Sequence, residues 1–138
     1  MAENIQLEIV TPEKSVVSEP AQIVMAPGTL GEFGVLSGHT PFMTSLNVGV
    51  VRYTDKSGKE RVVFVNGGFA EALPDRVTIL AESAERRKDI DIERAKEAQR
   101  RAEERLMKEK DQEIDFIRAK AALIRAILRI RLAETRSI

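Results

Sequence analysis

DIDIERAKEAQRRAEERLMKEKDQEIDFIRAKAALIRAILRIRLA, residues 89–133, contains neither glycine nor proline. Ala, Glu, Lys, Arg, Leu and Ile dominate it, and these residues lose little on entering a helix. The polar run Lys110-Asp111-Gln112-Glu113 is the natural break. Two helices are therefore expected, from about 90 to 107 and from about 114 to 134, folded back as an antiparallel hairpin. Both open on a shared phrase, IDIERAK at 90–96 and IDFIRAK at 114–120. In each, an Asp at or near the helix start caps free N–H groups and meets the positive end of the dipole. Capping rules alone account for two such similar starts.

The helix faces say more. Ile92, Ala95, Ala98, Ala102 and Leu106 form one stripe on the first helix, with Arg94, Arg101 and Arg105 on a neighbouring face. The second helix carries Ile114, Ile117, Ala121, Ile124, Leu128 and Leu132 on one side, with Arg118, Arg125 and Arg129 beside them. Phe116, Leu123, Ile127 and Ile130 lie roughly opposite. A solvated hairpin helix needs only one apolar face. Two faces imply two contacts: the partner helix, and either the rest of the chain or another protein. A hairpin this short and charged has little core, so detachment and extension cost it little.

Before Ser83 the pattern is that of strands. NIQLEIV alternates, with Ile5, Leu7 and Ile9 on one face and Gln6 and Glu8 on the other. AQIVMA is a short apolar run ended by Pro27-Gly28. VGVVRYT and ERVVFVN flank DKSGK, a hairpin with Gly58 in the turn, and FAEAL and RVTILAE flank Pro74-Asp75 as a second. Asn66-Gly67-Gly68 reads as a turn between strands. No βαβ alternation occurs, so a doubly wound fold is excluded. The expected class is α+β: a flattened antiparallel β-sandwich or barrel over 1–85, then a two-helix antiparallel hairpin over 86–138.

Charge follows the same division. Residues 1–85 hold 6 Lys and Arg against 11 Asp and Glu, whereas residues 86–138 hold 16 against 11. Opposite signs point to two units with different partners, or simply to the basic surfaces that helices carry. The basic half alternates Arg with Glu and has one aromatic, Phe116, so nucleic acid is not expected as a partner. Without cysteine there is no disulfide or thiolate metal site. No apolar run reaches the ~18 residues of a membrane span, and MAENIQLEIV lacks a signal-peptide layout, so a cytosolic protein is expected.

GEFGVLSGHTP, residues 31–41, holds three glycines and the only histidine. It is no P-loop, since GxxxxGK[ST] is absent, and its spacing misses GxGxxG. His39 has no Cys and no second His with which to share a metal. Nothing orients Ser37 or Thr40 as a nucleophile, so a structural or interface histidine is the better reading. A stand-alone enzyme ranks below a binding or regulatory protein.

The ordered set GEFGVLSGHTPFMTSL, VNGGFAE, RVTILAESAER and IDIERAK before a second Arg-rich helix resembles the epsilon subunits of bacterial F-type ATP synthases, whose mitochondrial equivalent is called delta. The likeness spans essentially the whole chain. It implies a non-catalytic central-stalk subunit that binds the gamma subunit, rests on the ring of c subunits and turns with the rotor. It would lie peripherally on the cytoplasmic face of the bacterial plasma membrane and serve ATP synthesis driven by ion transport. By resemblance, Glu32, Phe33, Gly34, His39, Thr40, Pro41 and Phe42 form the c-ring contact, with Glu32 offering a charge to the ring. IDIERAK matches the I/L-D-x-x-R-A pattern of ATP-binding epsilon subunits. The implied ligands are Glu85, Ile90, Asp91, Arg94, Ala95, Arg101, Arg125 and Arg129. ATP would be a regulatory ligand favouring the closed hairpin, with no cofactor or metal required. An extended hairpin would meet the alpha and beta catalytic subunits and inhibit hydrolysis.

Overall fold

The computed structural model describes residues 3–108 and 113–135. Its strands are β1 (Ile5–Val10), β2 (Ser15–Gly28), β3 (Gly31–Val35), β4 (Phe42–Asp55), β5 (Glu60–Leu73), β6 (Arg76–Leu80) and β7 (Ala84–Arg86). A 3₁₀ turn, Arg87–Asp89, precedes α1 (Ile92–Lys108) and α2 (Glu113–Glu134). The chain divides into two compact units between Arg87 and Lys88. The expected break at Lys110-Asp111-Gln112-Glu113 lies largely outside the described residues, as does the side chain of Asp115.

The N-terminal unit is a β-sandwich closed into a flattened barrel. β1 pairs with both β2 and β6, so the order β1-β6-β5-β4-β2 returns to its start, and β3 and β7 extend the edges of β2 and β5. Closure leaves these five strands without a free edge. All pairings are antiparallel except one: β1 runs parallel to β6, from Gln6 opposite Arg76 to Val10 opposite Leu80. The expectation of a purely antiparallel sheet is corrected there. Alternation fills the interior. Ile5, Leu7 and Ile9 of β1, Val51 and Tyr53 of β4, Val63 and Val65 of β5, and Val77 and Ile79 of β6 are fully buried in one core. The long strand β2 shifts register at Ala21/Ile23 and Met25/Gly28, bulges that let one strand bend between layers.

Asn66-Gly67-Gly68 is no turn. It lies inside β5, where the partner changes from β6, paired with Phe69–Leu73, to β7, paired with Val63–Val65. Gly67 and Gly68 take φ of 73° and 128°. A Cβ on Gly68 would stand 2.1 Å from the Leu80 carbonyl oxygen. The glycines therefore serve a close backbone approach within a strand.

DKSGK does turn, and Asp55 organises it. Its Oδ1 accepts from the Ser57 hydroxyl at 2.6 Å and from the N–H groups of Ser57 and Lys59 at 2.9 Å. Its Oδ2 accepts from Arg61 Nε at 3.1 Å. These donors hold the carboxyl well below the usual carboxylate range. Gly58 takes the positive φ of 92° that the turn needs.

In the C-terminal unit α1 and α2 pack as an antiparallel pair, with Lys96 Nζ 3.6 Å from Glu134 at the far end of α2. The seam is alanine. Ala95 and Ala102 of α1 and Ala119 and Ala126 of α2 are nearly inaccessible. The two isoleucine-rich stripes expected on α2 do not form this seam: Ile117, Ile124 and Phe116 stay exposed. Small side chains let the backbones approach, which displaces larger ones to the flanks.

Candidate functional site

The alanine seam has an arginine border. Arg101 and Arg105 of α1 and Arg125 and Arg129 of α2 line one groove of about 250 Å³. Its floor is Ala98, Ala102, Ala122 and Ala126. The volume falls just under the ~300–1,000 Å³ of small-molecule clefts, so it suits part of a ligand. Guanidinium groups are planar forks that match phosphate or carboxylate oxygens. Among the described residues only Arg101 of the first three has an ion-pair partner, Glu97 at 3.6 Å. Arg105 and Arg125 have none, whereas Arg100, on the outer side of α1, is held by Glu97 and Glu104. Four cations around a dry alanine floor repel one another and favour an anion between them.

The remaining implied nucleotide ligands lie elsewhere. Asp91 caps α1: its Oδ1 accepts from the Arg94 N–H at 3.0 Å, and its carbonyl oxygen accepts from the Ala95 N–H at 3.0 Å. One carboxylate oxygen is thereby committed to the helix. Arg94 is exposed. Ile90 and Ala95 are buried, so their side chains offer a ligand no surface, only backbone. Glu85 is on β7, opposite Phe64 of β5, in the N-terminal unit. The groove thus gathers Arg101, Arg125 and Arg129 of the expected set, leaves Arg94 outside, and adds Arg105.

The Glu32–Phe42 stretch is half strand. Glu32, Phe33 and Gly34 belong to β3, paired with Pro27, Ala26 and Met25. Glu32 is not an unclaimed charge: Arg52 of β4 donates to it at 2.7 Å. Phe33 and Phe42 meet edge to face at 5.2 Å and pack on the core, and the His39 ring lies 5.0 Å from Phe42. His39 Nδ1 is 2.7 Å from the Thr40 carbonyl oxygen, and the Gly38 N–H donates to Pro74 at 2.7 Å. Gly34 admits no larger residue cheaply, because a Cβ would stand 2.7 Å from Met25 Sδ. Glu32, Gly34, Thr40 and Pro41 are the exposed members, and Leu30 and Leu36 beside them are exposed apolar residues that sequence reasoning passed over.

A third polar cluster closes the barrel. The hydroxyl of Tyr53, a fully buried residue, donates to Glu19 at 2.5 Å, and Arg86 of β7 donates to Tyr53 at 3.4 Å and to the Val16 carbonyl at 3.2 Å. Burial first, then the Glu19 carboxylate, pushes the phenol up to about 12. Nothing in this cluster resembles a nucleophile–base pair. Among the described residues no group of three or more His, Cys, Asp or Glu is placed to hold a metal, and no helix is long and apolar enough to cross a membrane.

Two family models match in order: the beta-sandwich domain of the ATP synthase delta/epsilon chain over residues 4–87, and its long alpha-helix domain over residues 88–134. The ATP synthase epsilon chain of Desulforapulum autotrophicum is 65% identical over 136 residues, covering 99% of this chain and all of the relative. That of Desulfatibacillum aliphaticivorans is 59% identical over 100% of this chain and 97% of its own. A chain in the mitochondrial ATP synthase of Euglena gracilis (OSCP/F1/c-ring) has the same fold, with a TM-score of 0.78 over 96% of this chain and 82% of that one, at 24% identity.

Proposed function

Since the chain belongs to the family of ATP synthase delta/epsilon chains, we propose that it works as the epsilon-type subunit of a bacterial F-type ATP synthase, a non-catalytic part of the central stalk. The in-order match to both domains, over nearly all of the chain, carries this reading. The barrel binds the gamma subunit and rests on the c-ring, placing the protein peripherally at the cytoplasmic face of the plasma membrane. It thereby couples ion-driven rotation of the ring to the catalytic head. The exposed Glu32, Gly34, Thr40 and Pro41, with Leu30 and Leu36, supply a surface for the ring. Phe33, His39 and Phe42 hold that surface in shape.

The hairpin regulates. Closed, it crowds four arginines in one groove, and ATP relieves the crowding by placing phosphates among them. With ATP scarce, α2 leaves the seam, extends beside gamma, and sets its arginines against the alpha and beta subunits. That extended form inhibits hydrolysis. The exposed Phe116, Ile117 and Ile124 support a second contact for α2 outside the seam.

Reconstitution with a chain stopped after Arg87 tests both halves. The truncated chain should still join the complex, and ATP hydrolysis should rise or stay level. Failure to assemble would overturn the division of labour. A fall in hydrolysis would overturn the inhibitory role of the helices.

A further inference from the structure

The phrase shared by the two helices runs further than their first turns. Residues 90–105 read IDIERAKEAQRRAEER and residues 114–129 read IDFIRAKAALIRAILR. Arg101 matches Arg125, Arg105 matches Arg129, and the alanines of the floor match in pairs. Each helix therefore brings one copy of the same strip, Ala-x-x-Arg-Ala-x-x-Arg, to one groove. In an antiparallel pair, two copies of a strip are related by a local two-fold. That relation sets Arg101 and Arg125 at the middle and sends Arg105 and Arg129 to opposite ends.

We infer that Arg105 is the fourth arm of a phosphate clamp, and the arm that meets the last phosphate of a nucleoside triphosphate. The inference rests on the ATP reading above. The Lys96–Glu134 contact fixes the direction, since the start of α1 meets the end of α2. The Arg129 end of the groove is thus the end nearer Asp91. Arg105 lies about 13 Å beyond Lys96 along α1, at 1.5 Å per residue. A nucleotide with its ribose near Asp91 sends its phosphates past Arg129, then between Arg101 and Arg125, and reaches Arg105 last. A diphosphate stops short of it. Arg105 is exposed and has no ion-pair partner among the described residues, so its fork is available.

Calorimetric titration of the full chain with ATP and with ADP, beside a thermal melt of each variant, tests this. Arg105→Ala should weaken ATP about tenfold or more, the scale of one hydrogen bond to a charged group. ADP should change by less than ~2-fold on the same scale, so the preference for ATP narrows. Arg105→Lys should restore part of the loss, keeping the charge without the fork. The melting temperature without nucleotide should hold or rise, because one of four crowded cations is gone. Arg100→Ala, on the outer side of α1, should change neither affinity. If the unmutated chain binds neither nucleotide, the ATP reading fails and the clamp fails with it. If that chain binds ATP but Arg105→Ala weakens ATP and ADP equally, or neither, only the Arg105 assignment is overturned. A melting temperature that falls together with both affinities would likewise mark Arg105 as merely structural.

Discussion

The barrel and the hairpin of this chain bury different things. The barrel interior is valine, isoleucine and leucine on strands that leave its closed ring no free edge, and its charged groups find partners within it: Asp55 its turn, Glu19 Tyr53, Glu32 Arg52. The hairpin seam is alanine, its larger apolar side chains stay partly or wholly exposed, and four arginines crowd one groove. Apolar burial stabilises roughly in proportion to area. A seam of methyl groups therefore holds two helices weakly, while the barrel needs nothing from outside. The contrast explains how one short chain combines a fixed docking module with a switch. The switch sits where burial is thin and like charges meet.

The largest expected effect breaks the barrel. Gly68→Ala places a Cβ against the Leu80 carbonyl oxygen at a φ that L-residues avoid. It should cost about 3 kcal/mol, or roughly 10 °C in melting temperature. A melt unchanged by this variant would mean that the close approach in β5 is not needed.

Next come the two polar knots, which give the barrel opposite pH limits. The Asp55 carboxyl is depressed by its donors, so its contribution is full above the ordinary value of about 3.9 and is lost as pH falls below it. Asp55→Asn should lower the melting temperature by several degrees at pH 7, and the gap should shrink below about pH 4. Tyr53 is raised to about 12, so its neutral form stabilises below about pH 10, and this is lost between about 10 and about 12. Tyr53→Phe should flatten that alkaline limb. Parallel pH curves for variant and parent would contradict either assignment.

Ala102→Leu acts on the hairpin alone. Ala102 is buried in the seam, and overpacking of this kind costs about 1–3 kcal/mol. Hydrogen exchange should quicken across 92–134 and stay constant in β1–β6. Equal change in both would make the hairpin part of the barrel's cooperative unit.

The smallest effect falls on the docking face. Glu32→Gln removes an ion pair in which both side chains are more than two-fifths exposed, worth about 0–1 kcal/mol. Stability should barely move. Glu32→Lys, which sets like charges together, should loosen coupling of hydrolysis to ion pumping in the reconstituted complex while leaving gamma binding intact. Loss of gamma binding would place this face on the other partner.

Much of this was legible in the residues. The loss of glycine and proline after Ser83 marks the change from strands to helices, and the DKSGK turn and the Asp91 cap follow from local chemistry. The parallel β1–β6 pair was not legible, since it joins the first strand to one some seventy positions on. Asn66-Gly67-Gly68 reads as a turn locally, because a bulge and a turn ask the same φ of glycine, and only the change of partner strand separates them. The alanine seam was half visible. Ala95, Ala98 and Ala102 stand out on α1, but on α2 the larger isoleucines drew the eye from Ala119 and Ala126. Arg105 stayed outside the ligand set because the family phrase stops short of it, although the repeat that contains it is plain in the sequence.

The contrast between a self-sufficient barrel and an anion-dependent hairpin meets its most direct test in hydrogen exchange of the full chain with and without millimolar ATP. Protection should rise across α1 and α2, most at the Arg101–Arg105 and Arg125–Arg129 segments, and stay level in β1–β6. No change in either unit, or an equal rise in both, would contradict it.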